Sequence, residues 1–447
     1  MLDVPISQSG DSASSVAAVQ KLAGNSKGLG NAPASWTSEA NVRNFLRIAI
    51  EARFHEIWQM NSGSGSSLRL FVLFVGSLLF GGLRAGPVVA ADGTSAWEKI
   101  APFFTPPAEF ANQFGPYTSP LTLDDERRVK TAADWQQRRH EILRYWHKVM
   151  GPWPSLIEHP KIEYLDAKAR ENFTQHRVRL EIAPTQSTEG YLLVPEGKGP
   201  FPAVVVPYYE PESSIGVSKV ELRDFGYQLA RRGFVTLSIG SPGGDARQPA
   251  TGQAVCQPLS FLAYVAANCC NALRQLPHVD PQRIGIVGHS YGGKWAMFAS
   301  CLYDKFACAA WSDGGVVFDE KRSNVNYWEP WYLGNDPAHK RTAGAPTQDN
   351  PRTGAYKTLA ESAHDLHELH ALMAPRPFLV SGGSEDRPSR WIALNHAVAV
   401  NRLLGHTNRV ALTTRKDHTP TPESNEQIYL FFEYFLKETK AQGSPAK

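Results

Sequence analysis

One serine, one histidine and a choice of acids stand where acyl-transfer chemistry needs them. Gly288-His289-Ser290-Tyr291-Gly292 fits G-x-S-x-G. The run Arg283–Gly288 before it reads as a strand and the residues after it as a helix. In that setting the serine occupies a strained strand-to-helix turn, and the flanking glycines exclude side chains that would clash. A hydroxyl there needs a base. His418, in Arg415-Lys416-Asp417-His418-Thr419-Pro420, follows the last strand-like run and precedes the final helix. A carboxylate must then hold the imidazole in the right tautomer. Asp386, in Gly-Gly-Ser-Glu-Asp-Arg-Pro after the strand Phe378–Ser381, is placed first. Asp313, after the preceding strand in Trp311-Ser-Asp-Gly-Gly, is the alternative, and Glu385 the third choice.

The elements that must position these groups alternate as strands and helices, the pattern of a mostly parallel sheet. His176–Ile182 and Gly190–Val194 suggest an antiparallel pair at one end. Ala203–Pro207, Phe234–Ile239, Arg283–Gly288, Phe306–Trp311, Pro377–Ser381 and Arg409–Thr414 follow as strands. Helices are expected over 123–150, 219–232, 256–276, 391–404 and 422–437, the first opened by Thr122 and the acidic Asp124, Asp125 and Glu126. A long insertion, 314–371, precedes the penultimate strand.

From about residue 176 to 438 the chain resembles the α/β-hydrolase superfamily, and within it dienelactone-hydrolase-like proteins and bacterial acetyl xylan and glucuronoyl esterases. Gly288–Lys294, Ala374-Pro-Arg-Pro377 and His418 carry the resemblance. It implies an α/β-hydrolase fold, with a mostly parallel central sheet flanked by helices. In that fold the second oxyanion donor comes from the loop after Ala203–Pro207, so the backbone N–H of Tyr208 or Tyr209 is expected to assist that of Tyr291. In glucuronoyl esterases a lysine at the Lys294 position touches the sugar and an acid stands at the Asp313 position. The chain departs from those enzymes at His289 and Tyr291, where Cys and Arg are usual, and from dienelactone hydrolases, which have Cys at the Ser290 position.

Other aromatic and titratable residues have competing readings. Trp328, Trp331 and Tyr332 in the insertion suit a sugar-stacking or acyl-holding lid, or simple packing of that segment. His364, His367 and His370 recur at helical spacing, but no carboxylate or Cys cluster at metal-ligand spacing accompanies them, so a packed helix is favoured and no metal is expected. Five cysteines, an odd number confined to 256–308, read as buried apolar residues, with one disulfide open.

Composition bounds the partners. Lys and Arg number 46 against 43 Asp and Glu, without a basic stripe, which argues against nucleic acid. The apolar run Leu70–Gly82 follows Arg69 and leads to Pro87-Val-Val-Ala-Ala91, the form of a secretory signal peptide. A physiological start at Met60 would place it correctly. Four segments follow: 1–59, disordered or a mis-assigned start; 60–91, the signal peptide; 92–175, an aromatic and helical extension; and 176–440, the catalytic domain. The expected protein is a periplasmic or secreted serine esterase without cofactor or stable membrane anchor, acting on a small-molecule or polysaccharide ester. A serine peptidase or amidase, or a catalytically dead binding protein, are the alternatives.

Overall fold

Nine strands form one sheet in the computed structural model, which describes residues 95–439. The expected leader at 60–91 and the residues before it lie outside the described residues. In chain order the elements are α1 (Ala96–Ile100), α2 (Ala132–Met150), β1 (Ile162–Ala169), β2 (Phe173–Ala183), β3 (Gln186–Pro195), β4 (Phe201–Pro207), α3 (Phe225–Arg231) and β5 (Val235–Ile239). There follow α4 (Pro258–Arg274), β6 (Val279–His289), α5 (Tyr291–Leu302), β7 (Cys308–Ser312), α6 (Gly354–Glu361), α7 (His367–Ala371), β8 (Phe378–Gly382), α8 (Trp391–Leu403), β9 (Val410–Thr414) and α9 (Pro422–Glu433).

The strand order is β1-β2-β3-β5-β4-β6-β7-β8-β9. β1, β2, β3 and β5 pair antiparallel, whereas β5, β4, β6, β7, β8 and β9 run parallel. The parallel strands are buried along most of their length because both faces are covered. In β4, Ala203 and Val205 join the core on one face while Val204 and Val206 join the core on the other. Residues of α2, α4, α5, α7 and α8 belong to the first core, and those of α1, α3 and α9 to the second.

Several expected boundaries move, each for a local reason. The helix expected from Leu123 begins at Ala132, capped by Thr131 and Asp134 in a reciprocal capping box. The acidic residues before it serve a turn closed by the Thr122–Arg128 bridge, and Asp124 pairs with Arg138 at 2.5 Å. The helix expected from 219 begins only at Phe225, and residues 217–224 form a loop beside the site. β1, not anticipated, adds an outer strand, and β2 begins at Phe173, so the expected domain boundary at 176 falls inside a strand. The five cysteines are buried and unpaired. Of the three histidines at 364, 367 and 370, two bind within the fold: His364 Nδ1 meets Glu368 at 2.8 Å, and His367 Nε2 meets the Thr118 carbonyl at 2.7 Å, while His370 is buried with neither ring nitrogen hydrogen-bonded among the described residues.

Candidate active site

The carboxyl ends of the parallel strands meet around Ser290. This residue follows β6, near the centre of the sheet, with φ 55° and ψ −111°, in the positive-φ region that side chains rarely adopt. Two close approaches hold the turn. A Cβ on Gly288 would strike the Gly292 carbonyl, and one on Gly292 would strike the Pro207 carbonyl at the end of β4. The Ser290 N–H donates to the Ser312 carbonyl at 2.8 Å, tying the turn to β7.

His418, on the loop after β9, brings Nε2 to 2.9 Å from Ser290 Oγ. Its Nδ1 lies 2.7 Å from Asp313 Oδ2. Asp313 is fully buried, and its Oδ1 accepts the N–H of Gly383 at 2.6 Å and that of Asp386 at 2.9 Å. Burial resists its ionisation, but the bonds to His418 and the Asp386 N–H, with the Arg415 charge, hold the carboxyl below the usual aspartate value.

The expectation that Asp386 faces the imidazole is corrected by its path. The turn 383–386 directs backbone N–H groups, not the Asp386 carboxylate, toward the His418 side. That carboxylate instead accepts from Gly315 N–H at 2.9 Å and Val316 N–H at 2.7 Å, fastening the start of the insertion. Burial, with the Asp313 charge adding to it, pushes its carboxyl up to about 6. Glu385 lies close enough for its carboxylate, that of Asp313 and the His418 ring to have atoms within 4.8 Å of one another. Its Oε1 accepts from Asn324 at 3.1 Å and from Ser384 at 2.8 Å.

Around the nucleophile the expected oxyanion donors separate. Tyr291, first residue of α5, has a backbone N–H at a helix start, where no intrahelical acceptor exists. The Tyr208 N–H is already given to the Ile239 carbonyl at 3.0 Å and is not available as a donor. For the Tyr209 N–H no acceptor is found among the described residues. The Tyr209 side chain stacks on Tyr291, with ring centroids 4.8 Å apart. Burial of its hydroxyl end raises the phenol, a shift that hydrogen bonding to Ser290 opposes.

The expected substrate residues separate too. Trp328 is 1% exposed and packs on Tyr356, so it belongs to the core of the insertion. Trp331 is partly exposed, with the Arg247 guanidinium 5.8 Å above its ring. Lys294 is also 1% exposed; its Nζ donates to the Asn324 carbonyl at 2.6 Å and sits over the rings of Tyr327 and Tyr332. Burial brings the Lys294 amine down to about 8 against the pull of Asp386, Glu385 and Asp313.

Arg415 was not anticipated. It donates to the carbonyls of Ser381 at 2.8 Å, His418 at 2.7 Å and Thr419 at 2.9 Å, so one guanidinium pins the His418 loop to β8. The only sequence signal is its place at the start of that loop, three residues before His418.

This strand order, the turn at Ser290 and the histidine after the last strand give the chain the α/β-hydrolase fold. Family models agree in part: that of the prolyl oligopeptidase family matches residues 266–441, and that of the FrsA-like esterases matches 161–323. No curated protein matches the chain significantly. Among solved structures it is similar to a glucuronoyl esterase from Solibacter usitatus, at 19% identity and a TM-score of 0.56, over 72% of this chain and 97% of that one. A carbohydrate esterase family 15 glucuronoyl esterase from Teredinibacter turnerae gives 20% identity and 0.52, over 71% and 89%. One from Caldicellulosiruptor kristjansonii gives 18% and 0.52, over 75% and 94%. At these identities the likeness is one of fold.

Proposed function

We propose that the chain is a serine hydrolase of carboxylic esters on carbohydrate substrates, with Ser290 as nucleophile, His418 as base and Asp313 as the acid behind it. The observation that carries this is the unbroken line from Ser290 Oγ to His418 Nε2, at 2.9 Å, and from His418 Nδ1 to Asp313, at 2.7 Å. His418 takes the Ser290 proton as Oγ attacks the ester carbonyl, and the imidazolium formed is stabilised by the Asp313 carboxylate. The carbonyl oxygen gains negative charge within reach of the Tyr291 N–H at the start of α5, with Tyr209 as second donor. His418 returns its proton to the leaving alcohol. Water, deprotonated by the same imidazole, then attacks the acyl-serine and releases the acid.

The esterase-family match over 161–323 supports ester over amide, and the names of the structural neighbours support a sugar ester. A peptidase or amidase remains the second reading, favoured by the prolyl oligopeptidase family match over 266–441, which includes both Ser290 and His418. Export to the periplasm or beyond is proposed from the apolar run at 70–82. Among the described residues, no helix is long and apolar enough to cross a membrane. The test is hydrolysis of p-nitrophenyl acetate, acetylated xylan and a methyl glucuronate ester, beside a prolyl peptide anilide, by wild type and Ser290→Ala. Ester turnover that vanishes in the variant supports the reading; turnover of the anilide alone replaces it with the peptidase.

A further inference from the structure

Two arginines lie beside His418, and they differ in what they hold. The donors of Arg415 are given to carbonyls and hydroxyls of the strand ends and its own loop. Arg223 comes from the loop between the helical turn Pro211–Ser214 and α3. Its Nη1 donates to the Glu221 carbonyl at 2.8 Å. Its Nη2 makes a long contact, 3.5 Å, to the hydroxyl of Thr419, the residue after His418. Its Nε is buried without a partner. Among the described residues, no carboxylate forms an ion pair with it.

This arrangement is costly unless something completes it. A buried donor left unmet costs about 1–3 kcal/mol, more on a charged group. Arg223 is half-buried, but its Nε is sealed from water, and a sealed guanidinium donor is normally paired. Nε and Nη2 form one edge of the guanidinium, the pair of parallel N–H bonds that a carboxylate accepts together. That edge lies between the loop after β4 and the loop after β9, at the carboxyl ends of the parallel strands where substrates of such sheets bind. The guanidinium also hydrogen-bonds to the Tyr208 side chain, and its charge acts on Tyr208 and His289. Neighbouring side chains shield Nε from water, so an anion would enter by displacing the weakly held Thr419 hydroxyl.

We propose that Arg223 anchors an anion subsite, and that the preferred substrate is an ester carrying a second, free carboxylate that this guanidinium receives. The inference rests on the esterase reading above and narrows its substrate class. The carboxylate belongs either to the acyl part or to the alcohol part, and two substrate pairs separate these sources. Mono-p-nitrophenyl succinate is compared with p-nitrophenyl butyrate, and 4-acetoxybenzoate with 4-acetoxybenzamide.

At low salt the wild type should favour the anionic member of one pair by about tenfold in kcat/KM, the scale of one charge-assisted bond. In Arg223→Gln that ratio should fall to about one, Arg223→Lys should keep part of it, and about 0.5 M salt should shrink it in the wild type. No preference in either pair, or a preference that survives Arg223→Gln, overturns the proposal. If Arg223→Gln fails to fold, the lysine variant and the salt series decide. Succinate binding to Ser290→Ala, measured by calorimetry and compared with the same protein carrying Arg223→Gln, reads the subsite without turnover. Failure of the wild type to cleave any ester would sink the esterase reading while leaving that comparison informative.

Discussion

Asp386 stands behind Asp313 as a donor, not as a rival acid: its N–H reaches Asp313 Oδ1 at 2.9 Å, while Asp313 Oδ2 takes His418 Nδ1 at 2.7 Å. The two carboxylates therefore have separate tasks, one facing the imidazole and the other the N–H groups of Gly315 and Val316. Asp313→Asn should lower kcat on a simple ester by about a thousandfold or more, with the fold retained. Asp386→Asn should leave most of kcat but cost about 1–3 kcal/mol in urea unfolding, because a buried acceptor of two N–H bonds is weakened. The reverse pattern would make Asp386 the working acid.

Ser290→Ala should reduce ester turnover by about ten-thousandfold while leaving the unfolding midpoint close to that of the wild type or above it. A positive-φ serine stores strain in the native state, and alanine at that position keeps the strain but removes only the hydroxyl. Residual turnover within tenfold of the wild type would exclude Ser290 as nucleophile.

Tyr209→Phe keeps the ring stacked on Tyr291 and removes only the hydroxyl that hydrogen-bonds to Ser290. The Tyr209 N–H stays in place, so the variant reads the hydroxyl alone: its loss from beside the nucleophile should lower kcat by about 10- to 1,000-fold with little change in KM. A change in KM alone would instead assign Tyr209 to ground-state binding.

Arg415→Lys tests the anchor of the His418 loop. An ammonium has three donors and cannot reach the Ser381, His418 and Thr419 carbonyls in the fork geometry seen here. A displacement of about 1 Å between base and nucleophile is expected to cost about a hundredfold in kcat. Unaltered kinetics would mean that the loop holds its shape without the guanidinium.

Acid should loosen the join between α7 and the residues before α2. Burial brings the His367 imidazole down to about 4 from its ordinary 6.5, with Glu368 opposing and His396 and His364 adding to the shift. Between those values the unfolded chain binds a proton that the folded chain refuses, so stability falls as pH drops from 6.5 toward 4. The slope from this one group is at most about 1.4 kcal/mol per pH unit. Urea midpoints at pH 7 and pH 5 should differ less in His367→Gln than in the wild type, and an equal difference would remove His367 from the account.

The sheet was legible because runs such as Ala203–Pro207 are short, rich in β-branched residues and apolar at every position, as a strand covered on both faces requires. The turn at Ser290 was legible because the chain permits only glycine where Gly288 and Gly292 meet neighbouring carbonyls. The choice of acid was not, since Asp313 and Asp386 both follow parallel strands. What separates them is the path of four residues, 383–386, whose backbone N–H groups rather than side chains meet the base. Nor does aromatic content tell inside from outside: Trp328 and Trp331 are three residues apart, yet one is buried and the other partly exposed. β1 escaped notice because as an outer strand it buries almost nothing and so carries no apolar run.

All five thiols lie sealed in the interior, and burial raises each of them, Cys256 to about 11 and Cys270 to about 12. The thiolate is the form that attacks an alkylating reagent, so in the closed molecule both access and reactive form are withheld. Cys256 lies just before α4, Cys269 and Cys270 within it, Cys301 near the end of α5, and Cys308 at the start of β7. The chain thus carries its own clock for opening, in which the order of alkylation along these positions would report which layer separates first, without any cysteine being engineered in.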